Sequence, residues 1–313
     1  MNDNITPYVR YIGADDKDLD LFESQYVVPQ GISYNSYVIT DEKIAVMDTI
    51  DQRKTEEWTV RLEEALEGRT PDYLIVQHME PDHAANIGWF AEKYPEATIV
   101  ASAKAIQMMP QFFEEVNFAG RTQTVKEGDT LCLGQHTLKF IMAPMVHWPE
   151  VMLTYEESEK ILFSADAFGK FGALCHEGEW IDEARRYYFN IVGKYGAQVQ
   201  ALLKKAAGLD IAMICPLHGP VLKENLGYYI GLYDTWSKYE PETEGVVVAY
   251  ASIQGNPAAA ARRMAEILSE KGAAEVMLID LCRDDMALAV ESAFRYSKMI
   301  VAASSYDAGG FPP

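Results

Sequence analysis

The sequence predicts an α/β fold in two parts: sheets packed against each other with helices outside, followed by a parallel sheet with its own helices. Three observations predict it. Between Tyr26 and Met142, short apolar runs bounded by turn residues come in two rounds of strands followed by helix. After Gly245 the order changes to β-α-β-α-β, the pattern of a parallel sheet. A charged, proline-containing stretch from Ser237 to Gly245 separates the two patterns, so residues 1–240 and 245–313 are expected to form separate domains.

In chain order, Gly31 to Ile39 and Ile44 to Met47 read as an antiparallel hairpin turning at Asp41-Glu42. Trp58 to Leu66 has helical spacing and ends at Gly68, and Tyr73 to Val76 reads as a buried strand. A helix is expected from about Ala84 to Tyr94, a strand from Thr98 to Ala101, and a second β-rich stretch from Gln123 to Met142. Beyond the linker, strands are expected at Val246–Tyr250, Glu275–Ile279 and Met299–Ala303. Helices from about Pro257 to Lys271 and near Asp285 to Phe294 connect them.

Composition narrows the function. The 313 residues are 49% hydrophobic and 24% charged, enough to bury a sizeable core. A net charge of -20 excludes nucleic acid as partner, because neutralising phosphates needs a basic surface. Met1 to Arg10 has no apolar leader core and no apolar run approaches a membrane span, so a cytoplasmic protein with no membrane partner is expected. Cys132, Cys175, Cys215 and Cys282 form no Cys-x-x-Cys pair, which excludes a zinc ribbon or a rubredoxin-type site; they read as buried thiols.

Chemistry concentrates after the strand at Tyr73–Val76. Gln77-His78-Met79-Glu80-Pro81-Asp82-His83 packs four potential ligands into six residues, on a turn where Pro81 disfavours continued helix or sheet. Alternate residues can face two sides: His78 and Glu80 toward one ion, Asp82 and His83 toward another. Imidazole tolerates many metals, whereas a carboxylate at Glu80 hardens the site toward iron or manganese. Three later residues end apolar runs at Pro- or Gly-marked turns: His147, Asp166 and His218. His136 falls in an alternating strand and reads as structural. His176, in a loop after Cys175, is a weaker candidate for a place near the site.

This order, His-x-Glu-x-Asp-His followed by His, Asp and His, resembles the flavodiiron proteins (A-type flavoproteins, related to rubredoxin:oxygen oxidoreductase) of the metallo-β-lactamase fold. Tyr34-Asn35-Ser36-Tyr37, His147-Trp148-Pro149-Glu150, Ser164-Ala165-Asp166-Ala167-Phe168-Gly169 and Cys215-Pro216-Leu217-His218-Gly219-Pro220 resemble the family as well. The resemblance implies an αββα metallo-β-lactamase-like sandwich followed by a truncated doubly wound flavodoxin-like sheet. It implies a non-haem diiron centre, with one iron on His78, Glu80 and His147, the other on Asp82, His83 and His218, and Asp166 bridging. Most hydrolytic members of the fold carry a histidine where Glu80 stands.

The C-terminal part resembles a flavodoxin domain. Ser252-Ile253-Gln254-Gly255-Asn256-Pro257 matches the first flavin loop, and Ser304, Ser305, Tyr306, Asp307 and Gly309, in a stretch running to Pro312, match the second; both imply FMN. Two departures stand out. Pro257 replaces a common threonine and so removes a hydroxyl and a backbone donor, although proline at helix position N1 suits the fold. The sequence also reaches Pro313 with three of the about five strands of a flavodoxin-like sheet. The expectation is that it is part of a longer protein, the other reading being degraded flavin binding.

The implied activity is reduction of O2 to water or NO to N2O, with electrons relayed through FMN from a separate donor such as rubredoxin or a reductase. The implied assembly is a head-to-tail homodimer or a dimer of dimers. Two rival readings are a hydrolase of glyoxalase II type and a non-enzymatic gas or redox sensor.

Overall fold

The computed structural model describes residues 4–176 and 178–311. Residues 1–3, part of the N-terminal stretch read above, and Pro312 and Pro313 at the end of the second flavin-loop stretch lie outside the described residues. Among those described, no helix is long and apolar enough to cross a membrane.

Two sheets form the N-terminal part. The first runs β1 (Val9–Tyr11), β2 (Tyr37–Thr40), β3 (Ile44–Met47), β4 (Tyr73–Val76), β5 (Thr98–Ser102) and β6 (Thr122–Val125), in that spatial order. Its first two pairings are antiparallel and the rest parallel. The second runs β7 (Thr130–Cys132), β8 (Thr137–Met142), β9 (Met152–Glu156), β10 (Ile161–Phe163) and β11 (Met213–Cys215), antiparallel except for the last pair.

Alternation along the strands builds two layers of core. Tyr37, Ile39, Ala45, Met47, Ile75 and Val100 of the first sheet face Leu138, Phe140, Met152, Ile161, Phe163 and Cys215 of the second, forming the inter-sheet core. The intervening residues, such as Val38, Val46, Leu74 and Ile99 on one sheet and Ile141, Leu153 and Leu162 on the other, face outward toward helices. Helix α1 (Thr55–Leu66) buries Trp58, Leu62, Ala65 and Leu66, spaced to lie on one face. It stops where Glu67 and Gly68 turn left-handed, at φ 50° and 84°.

Several local expectations need correction. The helix expected from Ala84 to Tyr94 is two helices, α2 (Pro81–Ala84) and α3 (Ile87–Lys93). Pro81 opens α2, since its missing N–H costs nothing in a first turn, so Asp82 and His83 lie on a helix rather than an irregular loop. The run Gly31–Ile39 breaks at Asn35-Ser36 into Ile32–Tyr34, paired with Ala14–Asp16, and β2. The stretch from Gln123 to Met142 is β-rich as expected, its strands shared between the two sheets. Of the cysteines only Cys215 is buried: Cys132 on edge strand β7 and Cys175 in a loop are exposed, and Cys282 is half-buried.

Helices α4 (Ala103–Phe112), α5 (Trp180–Tyr187), α6 (Gly196–Ala206) and α7 (Leu226–Ser237) complete this part. The C-terminal residues form a parallel sheet of β12 (Thr243–Ala251), β13 (Val276–Asp280) and β14 (Tyr296–Ala303), in the order β13-β12-β14. Helix α8 (Asn256–Glu270) packs Ala258 and Ala261 on one face of β12, against Val246 and Val248. Helix α9 (Met286–Arg295) packs Ala289 on the other, near Val247 and Ala249. A helix on each face is the doubly wound arrangement. A two-stranded turn, β15 (Ser305–Tyr306) and β16 (Gly309–Gly310), follows.

Candidate metal centre

Four segments converge at one end of the sandwich, each leaving the end of a strand. His78 and Glu80 follow β4 and run into α2 with Asp82 and His83; His147 lies between β8 and β9; Asp166 follows β10; His218 follows β11. Left-handed backbone at the non-glycine residues Asp48, Met145, Ala165 and Phe168 shapes these turns, and such strain persists only where surrounding contacts over-determine it.

The seven side chains form two groups. In the first, His78, Glu80, His147 and Asp166 each offer an atom within 4.8 Å of the others; in the second, Asp82, His83 and His218 do the same. His147 Nε2 is 2.9 Å from Asp166 Oδ2 and 3.1 Å from Glu80 Oε2. His78 Nε2 is 3.2 Å from Glu80 Oε2, 3.3 Å from Asp166 Oδ2 and 3.4 Å from His147 Nε2. On the other side, Asp82 Oδ2 lies 3.3 Å from His83 Nε2 and 3.2 Å from His218 Nε2. Asp166 reaches both: its Oδ1 is 3.2 Å from His83 Nε2 and 3.9 Å from His218 Nε2.

These spacings match the edges of a coordination shell whose donors sit about 2.0–2.2 Å from a common centre. Buried polar atoms without a partner sharpen the fit. Both oxygens of Asp82, both ring nitrogens of His83, Asp166 Oδ1 and His218 Nε2 are buried with no hydrogen-bond partner. Leaving so many polar atoms unpaired in one place is costly unless something else satisfies them. Two divalent ions would do so, and the donor set fits them.

Neighbouring groups fix the rings. Glu150 Oε1 sits 2.8 Å from His78 Nδ1 and also accepts from Met79 N. His218 Nδ1 donates to the Ser33 carbonyl at 2.7 Å. Each bond commits Nδ1 as donor and leaves Nε2 free to ligate. Asp48 accepts from the backbone N–H groups of Gln77 and His78 and from the Gln77 side chain. The His218 turn is held by Asn35, whose amide donates to the carbonyls of Pro216 and Gly219, and by Tyr37, whose hydroxyl donates to Pro216. The roles of Glu150, Ser33 and Asp48 went unread in the sequence. Glu150 stood in a quoted string without a role, and nothing local marks the other two.

Charge confirms how tightly the groups are set. Burial opposes protonation of His78, but the carboxylates of Asp166, Glu150 and Glu80 outweigh it and hold its pKa well above the usual value. Burial likewise works against His147 and His83; Asp166 and Glu80 raise the former to about 9, and Asp82 and Asp166 raise the latter. Burial would raise Asp166 and Glu80, yet the facing histidines depress both, Asp166 strongly.

Of the other histidines, His136 sits in the turn before β8 rather than within it. It is buried against Asp41, with Nδ1 2.8 Å from Oδ2, a structural pair. His176 is exposed and belongs to neither group.

The whole N-terminal arrangement is that of known proteins. Residues 32–219 match the model of the "ODP family beta lactamase". A diflavin flavoprotein A 2, named as putative, of Synechocystis is 32% identical over 287 residues, covering 89% of this chain and 49% of that protein. An uncharacterized protein of Methanocaldococcus jannaschii is 33% identical over 285 residues, covering 89% of this chain and 71% of its own length. The chain belongs to the ODP β-lactamase family, among the flavodiiron proteins. An anaerobic nitric oxide reductase flavorubredoxin of Aliivibrio fischeri is 30% identical, covering 97% of this chain and 63% of that protein. The chain thus spans between about half and seven tenths of these curated relatives.

Among solved structures, the flavodiiron protein of Giardia intestinalis superposes with a TM-score of 0.93 at 27% identity, over 100% of this chain and 77% of that one. The rubredoxin oxygen:oxidoreductase of Desulfovibrio gigas does so at 0.92 and 26%, over 99% and 79%. The flavodiiron fold, β-lactamase-like and flavodoxin-like parts together, therefore extends across this chain.

Within the flavodoxin-like part, the two stretches singled out in the sequence lie side by side at the C-terminal ends of β12 and β14. Ile253 N donates to Ser304 Oγ at 3.2 Å, and Ser304 N donates to the Ala251 carbonyl at 3.1 Å. Ser252 Oγ accepts from Gly255 N at 3.0 Å, folding residues 252–255 into a tight turn. Gly255 adopts φ 89° and has open space where a side chain would begin, immediately before α8. Asn256 is the first residue of α8, so Pro257 is the second, one place later than expected. The first turn of α8 offers backbone donors to an anion, less the one that Pro257 lacks. Gln254 and Tyr306 are exposed, as are Ser305, Asp307 and Gly309 around the β15–β16 turn. The open backbone at Gly255 and the first turn of α8 fit a phosphate.

Proposed function

We propose that this chain is the core of a flavodiiron oxidoreductase that reduces O2 to water, NO to N2O, or both. The observation carrying the reading is the pair of buried ligand groups joined through Asp166, with a carboxylate, Glu80, beside the two histidines of the first. His78, Glu80 and His147 would hold one iron and Asp82, His83 and His218 the other, with Asp166 between them. When bound, two ferrous ions would supply electrons and adjacent open positions for a diatomic substrate. Relatives named for nitric oxide reduction and for oxygen reduction support this class of reaction.

The protein's own contribution is orientation, charge and dryness. Glu150 and the Ser33 carbonyl aim His78 and His218 inward. Three carboxylates against two divalent ions leave about one positive charge, near enough to neutral to admit an uncharged gas. Phe22, Tyr34 and Tyr187 pack around His218 with ring centroids 5.5 to 6.0 Å away, and Trp148 stands edge-on to His78 at 5.4 Å. Such walls limit water around the rings.

Residues 1–240 would form the diiron domain and 245–313 part of an FMN domain. Ser252, Ile253, Gln254, Gly255, Asn256 and Pro257 would cradle the phosphate, and Ser304, Ser305, Tyr306, Asp307 and Gly309 would border the ring. FMN would accept and pass on single electrons. Those electrons would come from a donor such as rubredoxin or a reductase. A head-to-tail dimer, or a pair of such dimers, would bring the FMN of one copy to the metal site of the other.

The test is metal and flavin content after anaerobic purification, paired with O2 and NO consumption under a chemical reductant. Iron with steady reductive turnover is the expected result. Zinc at full occupancy, thioester cleavage and no gas consumption would mean a hydrolase instead; reversible gas binding without turnover would mean a sensor.

A further inference from the structure

A file of tyrosine and tryptophan side chains leads from beside the candidate metal centre to the protein surface, joined at its inner end through the adjacent residues Tyr187 and Tyr188 and in ring contact from Tyr188 and Tyr233 outward. It begins at Tyr187, whose ring centroid is 5.5 Å from that of His218, and at Tyr233, whose hydroxyl accepts from the backbone N–H of Phe168, two residues past Asp166. Tyr188, next to Tyr187 in the chain, lies 5.0 Å from Tyr233 and 5.3 Å from Trp236. Tyr233 itself is 5.5 Å from Trp236. From there Trp180 stacks on Trp236 at 6.1 Å with planes 11° apart, Tyr229 meets Trp180 at 4.7 Å, and Tyr228 meets Tyr229 at 5.5 Å. Tyr228 is 52% exposed, whereas Trp236 is fully buried.

We propose that this file is a protective electron route, by which surface tyrosines discharge oxidant stranded at the metal centre. The inference rests on the oxygen-reducing reading above. Tyrosine and tryptophan give up an electron only to a strong oxidant, so the file cannot feed ordinary turnover from a weak donor. It conducts when O2 is caught partly reduced because too few electrons have arrived. One electron would then pass inward along the file to the partly reduced oxygen species, each buried ring that gives one up being refilled by the next before its phenol loses a proton, so that Tyr228 alone ends oxidised. The positive hole ends on Tyr228, whose phenolic O–H breaks and releases its proton to water. A small soluble thiol restores it by hydrogen-atom transfer, RSH and tyrosyl radical giving RS radical and tyrosine.

The middle of the file is built to hold a hole. Trp236 Nε1 donates at 2.7 Å to Glu242 Oε2, an oxygen that also accepts from Arg185 Nε, so the indole N–H of an oxidised Trp236 keeps a fixed acceptor within an ion pair. Packing alone would be served as well by phenylalanine, which cannot be oxidised in this way. That difference makes the route testable by substitutions that keep ring volume.

The experiment uses the iron-loaded chain, reduced with fewer electrons than water formation needs and mixed with O2. Radicals are trapped by rapid freezing and oxidised residues are mapped by mass spectrometry. In the unaltered chain the marks fall on Tyr228 and Tyr229, with a tryptophan radical at Trp236. Trp236→Phe abolishes that radical and moves the damage inward to Tyr187 and the ligand histidines. Tyr229→Phe, at a half-buried position that leaves the core intact, does the same to the mark on Tyr228 and serves if Trp236→Phe does not fold. A second arm puts a hole on surface tyrosines of the zinc-loaded chain with a ruthenium photo-oxidant, and Trp236 should acquire it. A chain that consumes no O2 overturns the reading on which this rests, and the proposal with it. A chain that consumes O2 while both variants show the unaltered pattern of damage, or whose photogenerated hole never reaches Trp236, overturns the route alone.

Discussion

Glu150 Oε1 lies 2.8 Å from His78 Nδ1, and both side chains are fully enclosed. The pairing fixes the tautomer that turns Nε2 toward Glu80 and Asp166. Glu150→Gln keeps the shape and weakens the acceptor, so His78 loses basicity and orientation together. Metal affinity should fall by about 10–100-fold, the usual effect of removing a ligand's carboxylate partner. Competition titration with a chelator measures this, and an unchanged affinity would mean that Glu150 serves packing alone.

Asp166 divides its oxygens between the groups, Oδ2 toward His147 and His78 and Oδ1 toward His83. Asp166→Asn puts an amide nitrogen, a donor only, where one of those oxygens stands. The expected result is a fall from two bound ions to one or fewer per chain, read by elemental analysis. Two ions retained at full affinity would show that no bridge is needed.

In the metal-free chain the raised histidines carry a pH signature. The folded pKa of His147, about 9, lies above its ordinary value, and His78 and His83 are shifted in the same direction. Stability from these groups is fully present below about pH 6.5 and is lost as pH rises through the folded value. Asp166 and Glu80 are depressed, so their contribution is present above the ordinary carboxylate range and is lost in acid. The metal-free melting temperature should therefore decline from about pH 6.5 to 9, while that of the metal-loaded chain does not. Loading at neutral pH should also release protons, because metal replaces them on the rings. Thermal melts of both forms and a weakly buffered indicator titration check the two statements.

Glu80 is the residue whose chemistry separates this site from a histidine-rich zinc site. Glu80→His softens the first group and should shift uptake from an equimolar iron and zinc mixture toward zinc. Metal content of the anaerobically loaded variant decides it, and an unchanged ratio would place the selectivity elsewhere.

How far the sequence was legible depended on whether a residue acts through its neighbours in the chain or across the fold. His78, Glu80, Asp82 and His83 announce themselves by spacing, and His147, Asp166 and His218 by their place after apolar runs; the structure brings all seven together. The parallel order of the last three strands was equally readable, because period and turn residues are local signals. Glu150, Ser33 and Asp48 were not, since their roles exist only between positions 72, 185 and 29 apart in the chain. Pro81 misled for a different reason. Proline marks a break in mid-element and a welcome start at a first turn, and only the fold distinguishes the two. The cysteines misled because average burial says little about an edge strand or a loop.

Pro257 offers the sharpest test of the flavin reading. It stands second in α8, two residues after the open glycine at 255, where an anion would meet the backbone donors of the first helical turn. Proline contributes neither a hydroxyl nor an N–H there, and Pro257→Thr would add both. One new hydrogen bond to a phosphate is worth about 0.5–1.5 kcal/mol net, and more when the acceptor is charged. FMN affinity should therefore rise by about tenfold, measured by flavin fluorescence quenching on titration with the apoprotein. The gain should vanish for riboflavin, which lacks the phosphate. An equal gain for both ligands would show that the substitution stiffens the loop, and no gain for either would place the phosphate away from α8.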